Sequence, residues 1–263
     1  MTAIAYARGL TRFRELILLL VLRDLKVRYK RSALGMAWTL LNPLLQMGVY
    51  TLVFSVVMRV DQPDYPVYLM AGLLPWLLLS SANACSHSLI ANQGLIRKVA
   101  VPQAVYPLSV VASKLVDVLL SLVPLAIIAA LMGRPPGTSW LALVPAFVVV
   151  TAFTAGLALI FSSLTVFFHD FKHLLDITFQ IWFYMTPIFY PARLVEELAN
   201  PWARAVLALN PATPIVRVFH DVIYEGQWPT AASMGPAVLI ATVTLAIGFV
   251  AFVKAEPRHI FNF

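Results

Sequence analysis

The chain has 263 residues, of which 60% are hydrophobic and only 12% are charged, and its mean hydropathy is +0.83. Soluble domains carry about 25% charged residues, so this composition excludes an ordinary soluble enzyme and indicates a polytopic membrane protein. The net charge of +7 would suit nucleic acid, but the basic residues flank apolar segments and serve as a topology signal. Four charge-free windows are each long enough to cross a bilayer: 32–58, 65–96, 135–169 and 226–253.

Residues 1–31 are predicted to form a cytoplasmic tail with a basic, partly amphipathic helix over 11–31. One face of this helix carries an apolar stripe made of Leu18, Leu22, Leu25 and Tyr29. A helix of this kind lies in the plane of the membrane interface. The apolar stretch 16–22 ends at Arg23 with no small-residue cleavage site after it, so we expect no cleavable signal peptide.

The remainder, 32–263, is predicted to be one transmembrane domain of six helices. They are expected at about 34–58, 67–90, 108–131, 141–166, 173–190 and 230–253. Within the fourth helix, Ala152 and Gly156 are four residues apart, a small-residue pattern that permits another helix to pack closely.

The distribution of lysine and arginine predicts that both termini are cytoplasmic. With six spans, fourteen of the 19 basic residues fall inside: Arg8, Arg12, Arg14, Arg23, Lys26, Arg28, Lys30, Arg31, Arg97, Lys98, Lys114, Lys172, Lys254 and Arg258. The other five fall outside: Arg59, Arg134, Arg193, Arg204 and Arg217. The reverse orientation would invert this ratio.

The outside loop 191–229 is predicted to contain short helices that dip back toward the membrane. Its Asn200-Pro201 and Asn210-Pro211 steps indicate helix starts, with Asn as the N-cap and Pro in the first turn. Irregular backbone at that depth must be buried in protein or face water. The predicted fold class is therefore an all-α polytopic membrane protein with six transmembrane helices, an interface helix and a re-entrant loop.

Lys114 and Asp117 are ionisable residues inside the third predicted span. They are i,i+3 neighbours on a helix and can pair. A charge at the bilayer centre costs at least about 2.5–3.5 kcal/mol on insertion scales, so the pair requires a reason. Two interpretations stay open: a polar translocation path or helix contact, or a Lys114 side chain that reaches the cytoplasmic surface while it holds Asp117.

The sequence carries none of the common motifs for nucleotide binding or hydrolysis. It has no G-x-x-x-x-G-K-[ST] phosphate loop, no H-E-x-x-H and no G-x-S-x-G, so we expect no catalytic residues. Cys85 is the only cysteine, which excludes an intramolecular disulfide. His169 and His173 would share a helix face, but without further ligands they are interpreted as loop residues, and no metal site is expected.

Three stretches together resemble one known family. The first is RYKRSALGMAW at 28–38, followed by LNPL at 41–44. The second is AGLLPW at 71–76, followed by NQGLIRKV at 92–99 and by Pro102. The third is TPIFYP at 186–191, with LNPATP at 209–214. From about residue 15 onward, this ordered set resembles the membrane subunit of ABC-2 type polysaccharide exporters, the O-antigen and teichoic acid (Wzm-like) group.

The resemblance implies a homodimer of six-helix subunits joined to two copies of a separate P-loop ATPase. It implies that ATP hydrolysis drives export of a lipid-linked glycan across the bacterial cytoplasmic membrane. The chain itself would hold no cofactor, because ATP and magnesium would bind to the partner ATPase. The missing phosphate loop agrees with this division of labour.

The resemblance also implies that the inside loop, at about 91–107, docks into the ATPase through a coupling helix. Leu95, Ile96 and Val99 would supply its apolar side, in the manner of a short helix in a groove. The complete set of predicted coupling residues is Asn92, Leu95, Ile96, Arg97, Lys98, Val99 and Pro102. An ordinary positive-inside loop is the alternative. Ile96→Asp is expected to leave the subunit inserted but to sever ATPase binding.

The interface helix resembles the family's gate helix at the cytoplasmic entrance. Its basic residues would attract a pyrophosphate headgroup or anionic membrane lipid, and both interpretations stay open. These predicted gate residues are Arg23, Lys26, Arg28, Lys30 and Arg31.

Aromatic side chains are candidates for the lining of a sugar path, because the C–H faces of pyranose rings pack on flat rings. Phe179, Phe183 and Tyr190 are predicted to fall on one stripe of the fifth helix. The complete set of predicted pore-lining residues is Trp38, Tyr50, Lys114, Asp117, Phe179, Phe183 and Tyr190. An interfacial aromatic belt is the alternative interpretation of the aromatic members.

Three other functions stay open at the level of sequence. An ABC-2 exporter of drugs or simple lipids would have a similar fold. An ion-coupled secondary transporter would use the Lys114–Asp117 pair as its titrating group. An intramembrane enzyme would require His, Asp or Glu residues that converge within the spans.

Overall fold

The computed structural model describes residues 3–29, 34–35, 37–99, 101–191, 193–196 and 200–262, and over these ranges the fold is helical without strands. The α-helices in chain order are α1 Ala3–Arg12, α2 Arg14–Tyr29, α3 Ala37–Thr51, α4 Tyr65–Leu79, α5 Ser81–Cys85, α6 Ser88–Ala91, α7 Gln93–Ile96, α8 Val105–Leu120, α9 Leu122–Leu131, α10 Leu143–Phe167, α11 Phe171–Met185, α12 Arg193–Glu196, α13 Pro201–Ala208, α14 Thr213–Phe219 and α15 Ala231–His259. Two π-helical turns, Leu52–Val57 and His220–Tyr224, and a 3₁₀ turn, Thr138–Ala142, extend α3, α14 and the start of α10.

Within the described residues, five helical segments are long and apolar enough to cross a membrane. They are span one Ala37–Val57, span two Tyr65–Cys85, span three Val105–Leu131, span four Thr138–Phe167 and the final span Ala231–His259. These segments confirm five of the predicted spans. Span two ends before its predicted limit at 90, because the chain turns between Cys85 and α6. The final span continues past its predicted limit at 253.

The fifth predicted span, 173–190, corresponds to α11, which has 15 residues. At 1.5 Å per residue it rises about 22 Å, short of the roughly 30 Å of a hydrocarbon core. The prediction that this helix continues to 190 is wrong, since Thr186 is extended at φ −90° and ψ 134°. Pro187 follows it, and the residue before a proline avoids the helical region. A sixth crossing therefore stays a prediction.

Span two is the centre of the hydrophobic core. Nearly every residue of α4 is buried, and the helix packs against α3, α10 and α14. Span one lies at the periphery, since Thr39 and Pro43 are its buried residues in α3. Much of α11 is likewise exposed, with Leu175 and Phe179 buried. Two helices of the chain thus leave broad faces uncovered by the rest of the subunit.

Span four and the final span are in backbone contact at a pair of glycines. A Cβ added at Gly248 would lie 2.2 Å from the carbonyl oxygen of Gly156, which no real side chain tolerates. A Cβ added at Gly156 would lie 2.6 Å from the backbone of Thr244. The close packing predicted at Gly156 is therefore confirmed, and its partner is the final span. Such small-residue contacts are the usual means of close helix approach in membranes.

The N-terminal segment forms two helices where the sequence predicted one over 11–31. Both α1 and α2 are regular, and the break falls at Phe13. In α2, Leu18 and Leu22 of the predicted stripe are 60% and 51% exposed, whereas Leu20 and Val21 are buried against the rest of the chain. The helix is thus apolar on two sides: one packs within the subunit, and the other is free for the membrane interface.

The loop before the final span contains the short helices α12, α13 and α14. The Asn200-Pro201 step does start α13, and the Asn200 carboxamide oxygen accepts from the Trp202 N–H at 3.0 Å. The N-cap prediction for Asn210 is wrong by two residues, because α14 begins at Thr213 and Ala212 precedes it. The α14 segment packs against spans two and four and the final span, and a re-entrant course for this loop stays a prediction.

Asn210 instead joins the end of α11 to the start of α14. Its Oδ1 accepts from Trp182 Nε1 at 2.7 Å and from the Ala212 N–H at 2.9 Å. Its Nδ2 donates to the Met185 carbonyl at 3.1 Å and to Thr186 Oγ1 at 3.0 Å. The side chain is only 5% exposed, so every one of these bonds is made away from water.

We expect Asn210→Leu to loosen this junction, because each polar group left unpaired in a buried site costs about 1–3 kcal/mol. Asn200→Leu is the matched control, since Asn200 also precedes a proline but is exposed. Thermal unfolding in detergent, followed by tryptophan fluorescence, should show a midpoint several degrees lower for Asn210→Leu than for Asn200→Leu. Equal midpoints would contradict the role given to Asn210.

Candidate functional site

A polar cavity of about 730 Å³ lies between span one and spans two and three. Span one contributes Trp38, Asn42 and Gln46 to its wall, and α8 contributes Lys114 and Asp117. Lys114 Nζ is 4.0 Å from Asp117 Oδ2, so the predicted i,i+3 pair is confirmed. Both charged residues therefore line a cavity whose wall mixes polar and apolar side chains, and an ionisable group within a span is less costly at such a cavity than against lipid.

Aromatic rings form a separate cluster at the opposite end of span one. The Phe189 ring is its centre, with ring centroids 5.1 Å from Tyr50, 4.7 Å from Phe54 and 4.7 Å from Phe183. Tyr50 and Phe183, two predicted pore residues, are 6.1 Å apart. Phe189 was not among the residues predicted from sequence, because a helix that continues to 190 gives no reason for this side chain to point inward.

The predicted pore-lining residues do not lie on one surface. Trp38 lines the polar cavity with Lys114 and Asp117, whereas Tyr50 and Phe183 belong to the aromatic cluster. Phe179 is 6% exposed and packs in the core. The prediction that Tyr190 lies on the same helical stripe as Phe179 and Phe183 is wrong, because α11 ends at Met185 and Tyr190 follows in non-helical chain. The pore assignment itself stays a prediction.

The exposed face of α11 carries polar side chains as well as apolar ones. Asp176 and Gln180 lie one turn apart and are both exposed. Asp176 accepts a 2.7 Å hydrogen bond from Asn83 on α5. Polar side chains on membrane helices face protein or water rather than hydrocarbon. This face, like the polar side of span one at Asn42 and Gln46, therefore requires a polar neighbour outside the subunit or a water-filled space.

Over the predicted coupling loop, at about 91–107, the chain forms α7, a turn over 97–99 and the start of α8 at Val105. Leu95 and Val99 are 39% and 45% exposed, and Arg97 and Lys98 between them are exposed. Ile96 is only 7% exposed and packs in a small core with Leu20 and other residues of the same chain. The outward placement predicted for Ile96 is therefore wrong. The spacing of apolar residues over a single helical turn does not distinguish the side that faces a partner protein from the side that packs within the subunit.

The N-terminal helix contacts this loop directly. Arg23 forms an ion pair with Asp24 at 3.0 Å and donates to Asn92 Oδ1 at 3.4 Å. Lys26 is exposed on the same helix. Of the remaining predicted gate residues, Arg28 lies within α2, and Lys30 and Arg31 fall outside the described residues. Pro102 precedes α8, whose first turn begins with a bond from the Val105 N–H to the Pro102 carbonyl.

A buried polar network lies behind the loop, and the sequence analysis missed it. His259 is fully buried, with Nδ1 2.8 Å from Gln103 Oε1 and Nε2 2.8 Å from Ser163 Oγ. The Gln103 N–H donates to Glu256 Oε1 at 2.7 Å. The Tyr6 hydroxyl accepts from the Ala104 N–H at 3.3 Å, and burial raises the pKa of Tyr6. The network joins α1, the end of the loop, span four and the final span.

The model of the ABC-2 type transporter family matches residues 15–224 of this chain. The chain belongs to this family. Over 259 residues it is 35% identical to the O-antigen export system permease protein RfbA of Myxococcus xanthus, and the alignment covers 97% of each chain. An RfbA of Klebsiella pneumoniae is 34% identical over 214 residues, 81% of each chain. The polysialic acid transport protein KpsM of Escherichia coli is 24% identical over 245 residues, 90% of this chain and 92% of KpsM.

The ABC-2 match contains every candidate site described above except the ends of the buried network. It includes α2 from its second residue, the predicted coupling loop, the polar cavity and the aromatic cluster, and it stops at Tyr224, before the final span. Tyr6 and His259 lie beyond it on either side. The family resemblance seen in the three sequence stretches is thereby confirmed.

Proposed function

We propose that this chain is the permease subunit of an ABC transporter that exports a lipid-linked polysaccharide across the bacterial cytoplasmic membrane. The observation that carries the proposal is the 35% identity, over 97% of both chains, to a protein named as an O-antigen export permease. KpsM, a more distant relative, is also named for the transport of a polysaccharide. These names favour a glycan over a drug or simple lipid, the alternative cargo for this fold.

A separate ATPase subunit supplies the energy in this proposal, because the chain has no phosphate loop of its own. The docking element is the exposed edge of the loop, where Leu95 and Val99 flank Arg97 and Lys98. Two apolar anchors on either side of a basic pair suit an apolar groove with an acidic rim. The hydrogen bond from Arg23 to Asn92 would couple α2 to the position of the docked loop.

Two copies of the chain form the transport path in this proposal, and two ATPase subunits serve them. The support comes from the uncovered faces of span one and α11. Asp176 and Gln180 on α11 require a polar surrounding, which a second copy and an enclosed aqueous path would supply. Exposed apolar residues on the two helices, such as Leu45 on span one and Ile181 on α11, would pack at the contact between copies.

The cytoplasmic entrance is proposed to lie beside α2, with both termini on the cytoplasmic side. Arg23, Lys26 and Arg28 on this helix, with Lys30 and Arg31 after it, would attract the anionic headgroup that joins glycan to lipid. Single neutralising substitutions, scored by surface glycan, separate this role from general lipid attraction. A headgroup site predicts one or two dominant residues, whereas lipid attraction predicts small, additive losses.

The proposal is tested by purifying the chain from its native host in mild detergent and identifying what comes with it by mass spectrometry. A P-loop ATPase in equal amount is the expected result. Deletion of the gene should keep the glycan inside the cell, and a plasmid copy should restore it to the surface. Surface glycan that persists after deletion, or a well-folded chain that never brings an ATPase, would overturn the proposal.

A further inference from the structure

We propose that the polar cavity beside span one is a binding site for sugar residues of the exported glycan. It is defined by Trp38, Asn42, Gln46, Lys114 and Asp117, and it lies within one subunit, in the half of the fold nearest the coupling loop. The inference rests on the proposed function for the identity of its ligand. It goes further by naming where in the subunit the sugar binds and which side chains contact it.

The size and exposure of the cavity suit a ligand. At about 730 Å³ it lies within the roughly 300–1,000 Å³ that is usual for small-molecule sites. It is open to its surroundings, because Trp38 is 38% exposed and the Lys114 side chain is 30% exposed. Lipid tails are poor occupants, since they would strip water from Lys114, Asp117 and two carboxamides and return no hydrogen bonds.

The wall offers the mixture of groups that a sugar ring requires. The carboxamides of Asn42 and Gln46 each donate and accept, Lys114 donates and Asp117 accepts. Ser80 also lines the cavity, and its hydroxyl already donates to the Leu77 carbonyl. Its oxygen therefore remains as an acceptor for a sugar hydroxyl. Trp38 supplies a flat ring on which the C–H face of a pyranose packs.

The charge balance separates a sugar from a phosphate. Asp117 stands 4.0 Å from Lys114, so the two charges offset each other within the cavity. A phosphate or pyrophosphate would meet the Asp117 carboxylate together with the lysine, and the like charges would repel. A neutral ligand rich in hydroxyls meets no such penalty and can bond to both members of the pair. The site is therefore assigned to the glycan and not to its anionic anchor.

Thiol labelling tests both the water content and the occupant of the cavity. Cys85, the single cysteine, is fully buried, and Cys85→Ser gives a cysteine-free background. In that background Gln46→Cys places a thiol in the cavity, and Leu45→Cys is its control, since Leu45 is 57% exposed on the same helix but does not line the cavity. The probe is a negatively charged, membrane-impermeant methanethiosulfonate, added to inside-out vesicles.

We expect Gln46→Cys to react readily in vesicles from cells that make no glycan, and several-fold more slowly in vesicles from cells that make it. Leu45→Cys should stay unreactive in both, because lipid or the second copy of the chain covers this exposed apolar position. If Gln46→Cys is as unreactive as Leu45→Cys, or equally reactive with and without glycan, the sugar site is overturned. Asn42→Cys, one turn earlier, repeats the test if Gln46→Cys does not fold. Loss of surface glycan on gene deletion tests export separately, so the two proposals fail independently.

Discussion

Replacing Leu95 and Val99 together with aspartate is expected to abolish export while the subunit stays folded. Both side chains are substantially exposed, so the substitutions remove little packing within the chain. At the proposed ATPase interface they would put two unpaired charges into an apolar groove. Losses of about 2 kcal/mol at each anchor would weaken binding by several hundred-fold. The measurement is the ATPase to permease ratio after affinity purification, together with surface glycan.

Two further variants make this result specific to the loop. Ile260→Asp adds a charge at another exposed apolar residue, beyond the final span, and should leave both the ratio and export unchanged. Ile96→Asp buries a charge in the subunit's own core, so, contrary to the expectation from sequence, it should lower the yield of folded protein itself. A double variant that still binds the ATPase in full would place the docking surface elsewhere on the chain.

Gly248→Ala is expected to destabilise the subunit severely, although it adds a single methyl group. That methyl would lie 2.2 Å from the Gly156 carbonyl oxygen, so the backbones of span four and the final span must separate. Overpacking of this kind costs about 1–3 kcal/mol and sometimes more. The measurement is the unfolding midpoint in detergent and the fraction of monodisperse protein.

Gly48→Ala provides the control, because it changes the same residue type in the interior of another membrane span and no proline follows it. A Cβ at Gly48 has no atom within 4 Å. Within a helix, alanine is favoured over glycine by about 0.5–1 kcal/mol, so this variant should be neutral or slightly stabilised. The two substitutions are thus expected to shift stability in opposite directions. Shifts of the same sign and size would mean that the glycine contact is not tight in the folded protein.

The features predicted correctly from sequence are those on which the bilayer imposes a strong constraint. A crossing segment must be long, apolar and internally hydrogen-bonded, so five spans could be located from hydropathy alone. The Lys114–Asp117 pair followed from helical spacing, and the Gly156 contact followed from a local pattern of small residues. In each case the relevant partners, or the relevant period, lie within a few residues of one another.

The features that the sequence analysis missed depend on contacts between distant residues. His259 meets Gln103 and Ser163 across 156 and 96 residues, and no local period marks any of the three. Phe189 points inward because α11 ends before Pro187. The spacing of apolar residues alone does not reveal that helix end. Ile96 faces its own subunit because α1, α2 and α8 come together there, and one helical turn of sequence does not reveal that neighbour.

The glycine contact between span four and the final span also bears on how the transporter moves. Helices whose backbones touch are interlocked, and neither can rotate or slide without a steric clash. Span two, buried on nearly all sides, packs against span four. We therefore expect these three helices to move together as one unit. A shape change that admits cargo is expected at span one and α11, which have few buried residues, and distance probes between these two helices should change most when the proposed partner hydrolyses ATP.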